Sequence, residues 1–175
     1  MAELTRYQAH RASIRSGDAI ALRGRGVLSR LIEIRSYYSH AAMCLWLRAG
    51  HEDRLFIAHA IYPTGLCFVQ ASTYLASYDG DADLCLADHG RMAAKHPGYQ
   101  DMLVDWMVQH SAAPYDAGGV LGFVLPWSRQ RANAYYCSEA ISSAWQAVGA
   151  VTPTDMTPEQ VVAPPLYLPG KVPLT

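Results

Sequence analysis

A cysteine at the start of a predicted helix is the first candidate for chemistry in this chain. Cys137 follows Tyr135-Tyr136 and precedes apolar residues at helical spacing, which predicts a helix over residues 137–148. The first N–H groups of a helix lack partners within it and carry the positive end of its dipole, and both effects favour a thiolate. The sequence therefore predicts a nucleophilic thiol at Cys137.

Two histidines lie where they could serve that thiol. His40 begins a predicted strand over residues 40–47, and His59 lies in the next predicted strand, residues 55–61. A hairpin turn near residue 51 pairs positions whose numbers sum to about 102, which brings the two histidines within a rung or two of each other. Which face each one uses depends on the length of the turn. We expect His40 to act as the base and His59 to hold its ring in the working tautomer.

Three further residues are candidates for substrate binding. Tyr38 lies in the turn before His40, and Tyr115 lies in Pro114-Tyr115-Asp116 before a glycine-rich passage. Glu139 follows the cysteine by two residues, where it could bind an amine in the cleft or simply interact with the helix dipole in the first turn. The Tyr-Asp pair is also common in ordinary turns.

The remaining cysteines and histidines indicate neither a metal nor a cofactor. Cys44, Cys67 and Cys85 lie inside apolar runs without a Cys-x-x-Cys pair, so we expect free, buried thiols rather than a disulfide or a zinc site. The other histidines are assigned to polar loops or helix surfaces without a role: His10, His51, His89, His96 and His110.

Composition excludes several classes of protein. The chain has 175 residues, of which 51% are hydrophobic and 17% charged, with a formal net charge of −1. These values exclude a disordered chain and make nucleic acid an improbable partner, because phosphate binding requires clustered Lys and Arg. Neither a signal peptide nor an apolar run of about 18 residues is evident, so we expect a protein made in the cytoplasm without a transmembrane segment. The oligomeric state is not predictable.

The order of the predicted elements indicates an α+β fold. Strands are expected at residues 19–22, 40–47, 55–61, 66–69 and 82–87, and helices at residues 27–35, 96–111 and 137–148. This order predicts an antiparallel meander packed against helices in one domain spanning residues 1–175. Residues 1–15 are interpreted as a polar lead-in with a short helix as one option, and the proline-rich residues 151–175 as an irregular strap.

Several short motifs carry a family resemblance through their order. The chain reads Ser16-Gly17-Asp18, Ser39-His40, Ile57-Ala58-His59, Pro114-Tyr115-Asp116, Tyr136-Cys137-Ser138-Glu139 and Thr157-Pro158. In this order the motifs resemble those of the permuted papain-like amidases of the YiiX/YebB-like group, relatives of NlpC-type cell-wall peptidases. The resemblance implies a circularly permuted papain-like fold in which the histidine strand precedes the cysteine helix, with Cys137, His40 and His59 as the catalytic set.

One departure from the group bears on the reaction. His59 occupies a position where the group often has Glu, and related acyltransferases of the lecithin:retinol acyltransferase type also use a His-His-Cys set. The resemblance implies a cysteine hydrolase without a cofactor that cleaves an amide, in a peptidoglycan peptide or in a lipid-linked or aminoacyl amide. The alternatives are a thiol acyltransferase and a non-enzymatic binding or structural module, such as a phage particle component. A cell-wall substrate would require delivery by another system or by a phage particle.

Overall fold

An antiparallel sheet of six strands forms the centre of the structure, a computed structural model that describes residues 2–122, 133–153 and 155–175. The strands are β1 (Ala19–Gly24), β2 (His40–Ala49), β3 (Glu52–Ile61), β4 (Gly65–Gln70), β5 (Gly80–Cys85) and β6 (Val172–Pro173). Their order across the sheet is β4-β3-β2-β1-β5-β6. The first four strands form the predicted meander, and β5 adds to the free edge of β1.

Eight helices surround this sheet in the described ranges. They are α1 (Ala2–Arg11), α2 (Val27–Glu33), α3 (Ala71–Ser77), α4 (His89–Lys95), α5 (Tyr99–Gln109), α6 (Ala117–Gly122), α7 (Cys137–Ala147) and α8 (Pro158–Val161). The predicted α+β architecture, an antiparallel sheet packed against helices, is confirmed. Among the described residues, the structure has no helix with the length and apolar character needed to cross a membrane.

The two faces of β2 belong to two different hydrophobic clusters. Ala41, Met43 and Leu45 pack with α7, including Ile141 and Trp145. The intervening residues of β2 face the cluster formed by α1 and α3 on the other side of the sheet. Successive side chains of a strand point to opposite faces, so a strand covered on both sides is apolar throughout. This explains the unbroken apolar run of the sequence.

The structure differs from the sequence-based prediction at the ends of the chain and in three internal helices. The lead-in forms α1 and buries Tyr7 and Ile14, so it is part of the core rather than a polar extension. The C-terminal strap contains α8 and β6, and Tyr167 anchors it by accepting a hydrogen bond from Trp145 Nε1 (3.1 Å). Helices α3, α4 and α6 were not predicted, because each is only 6 or 7 residues long, too short to show a sustained apolar period.

A buried carboxylate joins two distant segments of the chain next to β1. Asp18 is 0% exposed, and its Oδ1 accepts hydrogen bonds from the Ala87 N–H and from His89 Nε2, both at 2.8 Å. Its Oδ2 accepts from the Arg15 N–H at 2.7 Å. The other ring nitrogen of His89 contacts the Tyr99 hydroxyl, so this residue, predicted on a loop or helix surface, is instead half-buried in a polar network.

We expect Asp18→Ala to lower the free energy of unfolding by about 3 kcal/mol or more, because it leaves buried donors without an acceptor. Asp88→Ala is the matched control, since Asp88 caps α4 by accepting from the Arg91 N–H (3.0 Å) and its loss should cost about 1 kcal/mol. Urea unfolding of both variants measures the difference. Equal losses would show that Asp18 acts only as a local turn residue.

Candidate active site

Cys137 is the first residue of α7, as the sequence predicted. Tyr136 precedes the helix with an extended backbone, and the Glu139 side chain accepts from the Tyr136 N–H at 3.4 Å. A parallel bridge between Tyr115 and Tyr135 holds the segment before α6 alongside the start of α7. The Tyr136–Glu139 hydrogen bond and the Tyr115–Tyr135 bridge thus fix the backbone on either side of Cys137.

Burial works against the thiolate form of Cys137. It is 3% exposed, and burial raises its pKa. The backbone N–H groups of Ala41, Ser138 and Cys137 itself oppose this effect by stabilising the negative sulfur, but desolvation is the larger effect. The helix terminus favours the thiolate as expected, while burial, which the sequence reasoning did not include, opposes it.

The two histidines meet across the β2–β3 hairpin. The register pairs Met43 with Ala58 and Ala49 with Glu52, so paired numbers sum to one less than expected. Beyond these pairs, His40 Nε2 lies 3.0 Å from His59 Nδ1, and the ring centroids are 5.2 Å apart. The predicted proximity of the two rings is confirmed, and both use the same face of the hairpin.

Both rings are neutral near pH 7. Burial lowers the pKa of His40 to about 3, and the neighbouring His59 lowers it further in the same direction. Burial alone lowers the pKa of His59 to about 4. A short contact between two neutral imidazoles requires one ring to donate and the other to accept.

The environment of His59 Nε2 indicates which of the two rings donates in the His40–His59 hydrogen bond. His59 Nε2 is buried without a hydrogen-bond partner among the described residues, and the Tyr74 ring stands perpendicular to His59 with centroids 5.1 Å apart. An aromatic face accepts an N–H weakly but offers nothing to a lone pair. A proton on His59 Nε2 leaves Nδ1 to accept from His40 Nε2, and His40 Nδ1 then keeps the lone pair that a base requires.

Cys137 and His40 line one cavity of about 430 Å³. Among the described residues, the His40 ring bonds to His59 and the Cys137 thiol to backbone N–H groups and Ser138. No hydrogen bond links His40 directly to Cys137 within those residues. Catalytic hydrogen bonds are often long before substrate binds, so shared lining of the cavity is the relevant observation.

The three predicted substrate-binding residues have different environments. Tyr115 lines the cavity. Tyr38 does not: it is buried, its hydroxyl donates to Asp83 Oδ2 at 2.5 Å, and Lys171 Nζ lies 4.2 Å from its ring centroid, so it is a core residue. Glu139 does not line the cavity; it lies in the first turn of α7, where burial first and then Asp116 raise its pKa to about 7. The helix-terminus alternative for Glu139 is thus the one that fits.

Sequence reasoning missed much of the cavity wall. Tyr74 belongs to α3 and Tyr78 follows it, while Tyr62 and Ile61 come from the end of β3. Arg25 and Asp79 contribute charged groups from two loops. Isolated tyrosines in separate segments carry no spacing signal, so nothing in the sequence could have grouped them. No cluster of three or more His, Cys, Asp or Glu side chains suited to a metal ion occurs among the described residues.

The buried His59 and the half-buried His40 should make the fold sensitive to acid. The unfolded chain takes up protons at these rings near pH 6.5, whereas the folded rings resist protonation until about pH 3 to 4. Stability therefore falls as the pH drops through this window. We expect the double variant His40→Gln/His59→Gln to lose less stability between pH 7 and pH 4 than the unmodified chain, by at least about 1.4 kcal/mol.

Urea unfolding at the two pH values measures this difference. His51→Gln, in the exposed β2–β3 turn, is the control and should leave the pH dependence unchanged. An identical pH dependence for the double variant and the unmodified chain would mean that the two rings keep their ordinary pKa in the folded protein.

Comparison with known proteins supports the architecture. No protein-family model and no curated protein matches the chain. A solved structure, that of the metalloprotein yiiX from Escherichia coli O157:H7 (DUF1105), matches with a TM-score of 0.57 and 19% sequence identity. The match covers 77% of this chain and 66% of that chain, so this chain spans less than two thirds of the yiiX length. The chain thus has the fold of the YiiX-like group, which its motifs predicted.

Proposed function

We propose that this chain is a single-domain cysteine hydrolase that cleaves an amide bond, with Cys137 as nucleophile, His40 as general base and His59 as the residue that orients His40. The observation that carries the proposal is the cavity shared by Cys137 and His40, with His40 Nε2 held 3.0 Å from His59 Nδ1. The YiiX-like fold supports it, as does the packing of α7, which begins at Cys137, against β2, which begins at His40.

The first step starts from a neutral thiol and a neutral imidazole. As the Cys137 sulfur bonds to the substrate carbonyl carbon, its proton passes to His40 Nδ1. The N–H groups of Ala41, Ser138 and Cys137 stabilise negative charge at the sulfur. N–H groups at the start of α7 also form part of an oxyanion hole for the carbonyl oxygen. A preformed ion pair is not required, since burial favours both neutral partners.

The second half of the reaction returns the enzyme to its starting state. The C–N bond breaks, His40 gives its proton to the leaving amine, and a thioester to Cys137 remains. Water then attacks the thioester carbonyl and loses a proton to His40, which passes it to the departing sulfur. A neutral His59 orients His40 throughout, but it stabilises an imidazolium less than a carboxylate does.

Metal chemistry has no part in this scheme. The yiiX structure is that of a metalloprotein, but the described part of this chain lacks a group of three or more metal-ligating side chains that could hold an ion. The residues present do not fit a metal centre, and every proton transfer is assigned to Cys137 and His40.

A thiol acyltransferase is the second candidate, favoured by the contact between His40 and a histidine where the group often has a carboxylate. Both reactions share the thioester, and they differ in whether water or an amine or alcohol attacks it. Product analysis with and without an added amine or lysolipid separates them, because a transferase forms a new amide or ester.

Alkylation of Cys137 tests the electrostatics without a substrate. Because burial raises the pKa of this thiol, we expect its rate of iodoacetamide labelling to keep rising from pH 7 to pH 9. Mass-spectrometric mapping follows each cysteine separately, and the core residues Cys44 and Cys85 should remain unlabelled. A rate that is already constant below pH 7 would indicate a resting thiolate–imidazolium pair.

Substitution of the three residues tests their roles. We expect Cys137→Ala to abolish amine release from N-acyl amino acids and stem peptides, and His40→Ala to lower it roughly 10²- to 10⁴-fold. His59→Ala should cause a smaller loss, because this residue acts through His40. Cys67→Ala is the matched control and should keep full activity. Cys67 lies on β4 opposite His59 of β3 but does not line the cavity. Full activity of Cys137→Ala would refute the proposal.

A further inference from the structure

The central sheet forks at the end that carries His40. The hydrogen-bonded ladder between β2 and β3 ends where Met43 pairs with Ala58. Strand β2 nevertheless continues along β1 as far as His40, and β3 continues along β4 as far as Ile61. Each strand therefore keeps its outer neighbour, while the two inner strands separate from each other.

The backbone groups of Ala60 point into this fork. Ala60 pairs with Leu66 of β4, whose own backbone bonds outward: its N–H donates to the Ala113 C=O at 2.9 Å, and its C=O accepts from the Ala112 N–H at 2.8 Å. Two residues directly opposite each other in an antiparallel pair either both bond to each other or both face away. The N–H and C=O of Ala60 therefore face β2.

The N–H of Ala41 points into the fork from the other side. Cys44 bonds toward the start of β1, donating to the Asp18 C=O at 2.7 Å and accepting from the Gly17 N–H at 2.9 Å. The direction of these groups alternates along a strand, so Ala41, three residues earlier, faces β3. Extending the β2–β3 register by one rung places Ala41 opposite Ala60.

The sulfur of Cys137 lies where this rung is missing. The Ala41 N–H bonds to the Cys137 sulfur and not to the Ala60 C=O. Among the described residues, no backbone donor from a turn or loop reaches the Ala60 C=O either. Ala60 is 1% exposed and lines the cavity together with Cys137. Because a buried carbonyl without a donor is costly, a ligand that brings an N–H to it gains binding energy.

We infer that the Ala60 C=O accepts the N–H of the scissile amide. The inference rests on the proposed function and adds a substrate-positioning group to it. Once Cys137 has attacked, the nitrogen of the amide is two bonds from the sulfur, and the sulfur lies in the fork that this carbonyl faces. A secondary amide supplies the missing N–H, whereas an ester or a tertiary amide does not.

The leaving nitrogen needs a fixed orientation when the C–N bond breaks. In the tetrahedral intermediate its lone pair is no longer conjugated with the carbonyl, and it takes the proton from His40 Nδ1 as the bond breaks. An N–H held by the Ala60 C=O fixes the direction of that lone pair. The N–H leaves with the amine, so Ala60 orients the nitrogen without exchanging a proton.

Two substrates that differ in a single group test the inference. 4-Nitroacetanilide and 4-nitrophenyl acetate carry the same acyl group and form the same thioester, but only the anilide has an N–H. kcat/KM is measured for both, and the rate of the Cys137→Ala protein is subtracted. The amide-to-ester ratio then reports on the N–H, because damage to Cys137 or His40 lowers both rates.

An ester in place of the peptide link between Ala60 and Ile61 weakens the Ala60 carbonyl as an acceptor and changes no side chain. It is made by incorporating the α-hydroxy acid analogue of isoleucine at position 61. We expect the amide-to-ester substrate ratio to fall about three- to tenfold, the range for one hydrogen bond. An unchanged ratio, with 4-nitrophenyl acetate still turned over, would overturn the inference.

The same backbone ester at Ile57 is the matched control. The N–H groups of Ile57 and Ile61 both bond to β4, so each replacement removes one β3–β4 hydrogen bond. The carbonyl that the control weakens, that of Phe56, lies in the intact ladder opposite Leu45. Its substrate ratio should equal that of the unmodified chain. An equal fall in both variants would trace the effect to the sheet and overturn the inference.

Carbonyl NMR tests the contact without a backbone ester. Cys137→Ala protein is labelled with 13C at the alanine carbonyl and with 15N in isoleucine, and Ile61→Val removes the Ala60 signal and so identifies it. This labelling selects the Ala-Ile links of the chain: Ala19-Ile20, Ala60-Ile61 and Ala140-Ile141. We expect acetanilide to move the Ala60 signal downfield and phenyl acetate to leave it in place. No shift with saturating acetanilide would contradict the inference.

The two measurements separate failure of the inference from failure of the proposed function. A downfield shift with acetanilide alone, without turnover of either nitrophenyl substrate by the unmodified chain, would leave the Ala60 contact standing and refute the hydrolase. Turnover of the anilide, with no shift and an unchanged substrate ratio in the position 61 ester, would leave the hydrolase standing and refute the role of Ala60.

Discussion

Burial of β2 on both of its faces is the constraint on which the rest of the structure depends. Apolar surface is stabilised by about 25 cal/mol per Å² when it leaves water, so neither face of this strand can stay exposed. Helix α7 covers one face, and the layer of α1 and α3 covers the other. His40 is the first residue of β2 and Cys137 the first of α7, and this packing brings both to one cavity.

The same burial determines the electrostatics of the site. It lowers the pKa values of His40 and His59 and raises that of Cys137, so the neutral forms dominate at rest. The helix terminus and the Ala41 N–H oppose this effect at the sulfur without reversing it. In the proposed mechanism, proton transfer is therefore coupled to attack on the substrate.

Buried polar side chains outside the proposed catalytic set find hydrogen-bond partners within the fold. Asp18 accepts three hydrogen bonds, and one of its donors is a histidine that sequence reasoning left on the surface. Tyr38 and Glu139 are adjacent in sequence to catalytic candidates, but Tyr38 bonds to Asp83 and Glu139 to the terminus of α7. Proximity in sequence does not decide which face of an element a side chain occupies.

The sequence by itself determined the antiparallel α+β architecture, the helix that begins at Cys137, and the proximity of His40 to His59. These features depend on periodicity, on a helix terminus and on hairpin geometry, all of which are local. Only the tertiary structure decided the protonation of the site and its aromatic wall. Desolvation and the meeting of Tyr62, Tyr74 and Tyr115 depend on contacts between segments far apart in the chain, which no local pattern encodes.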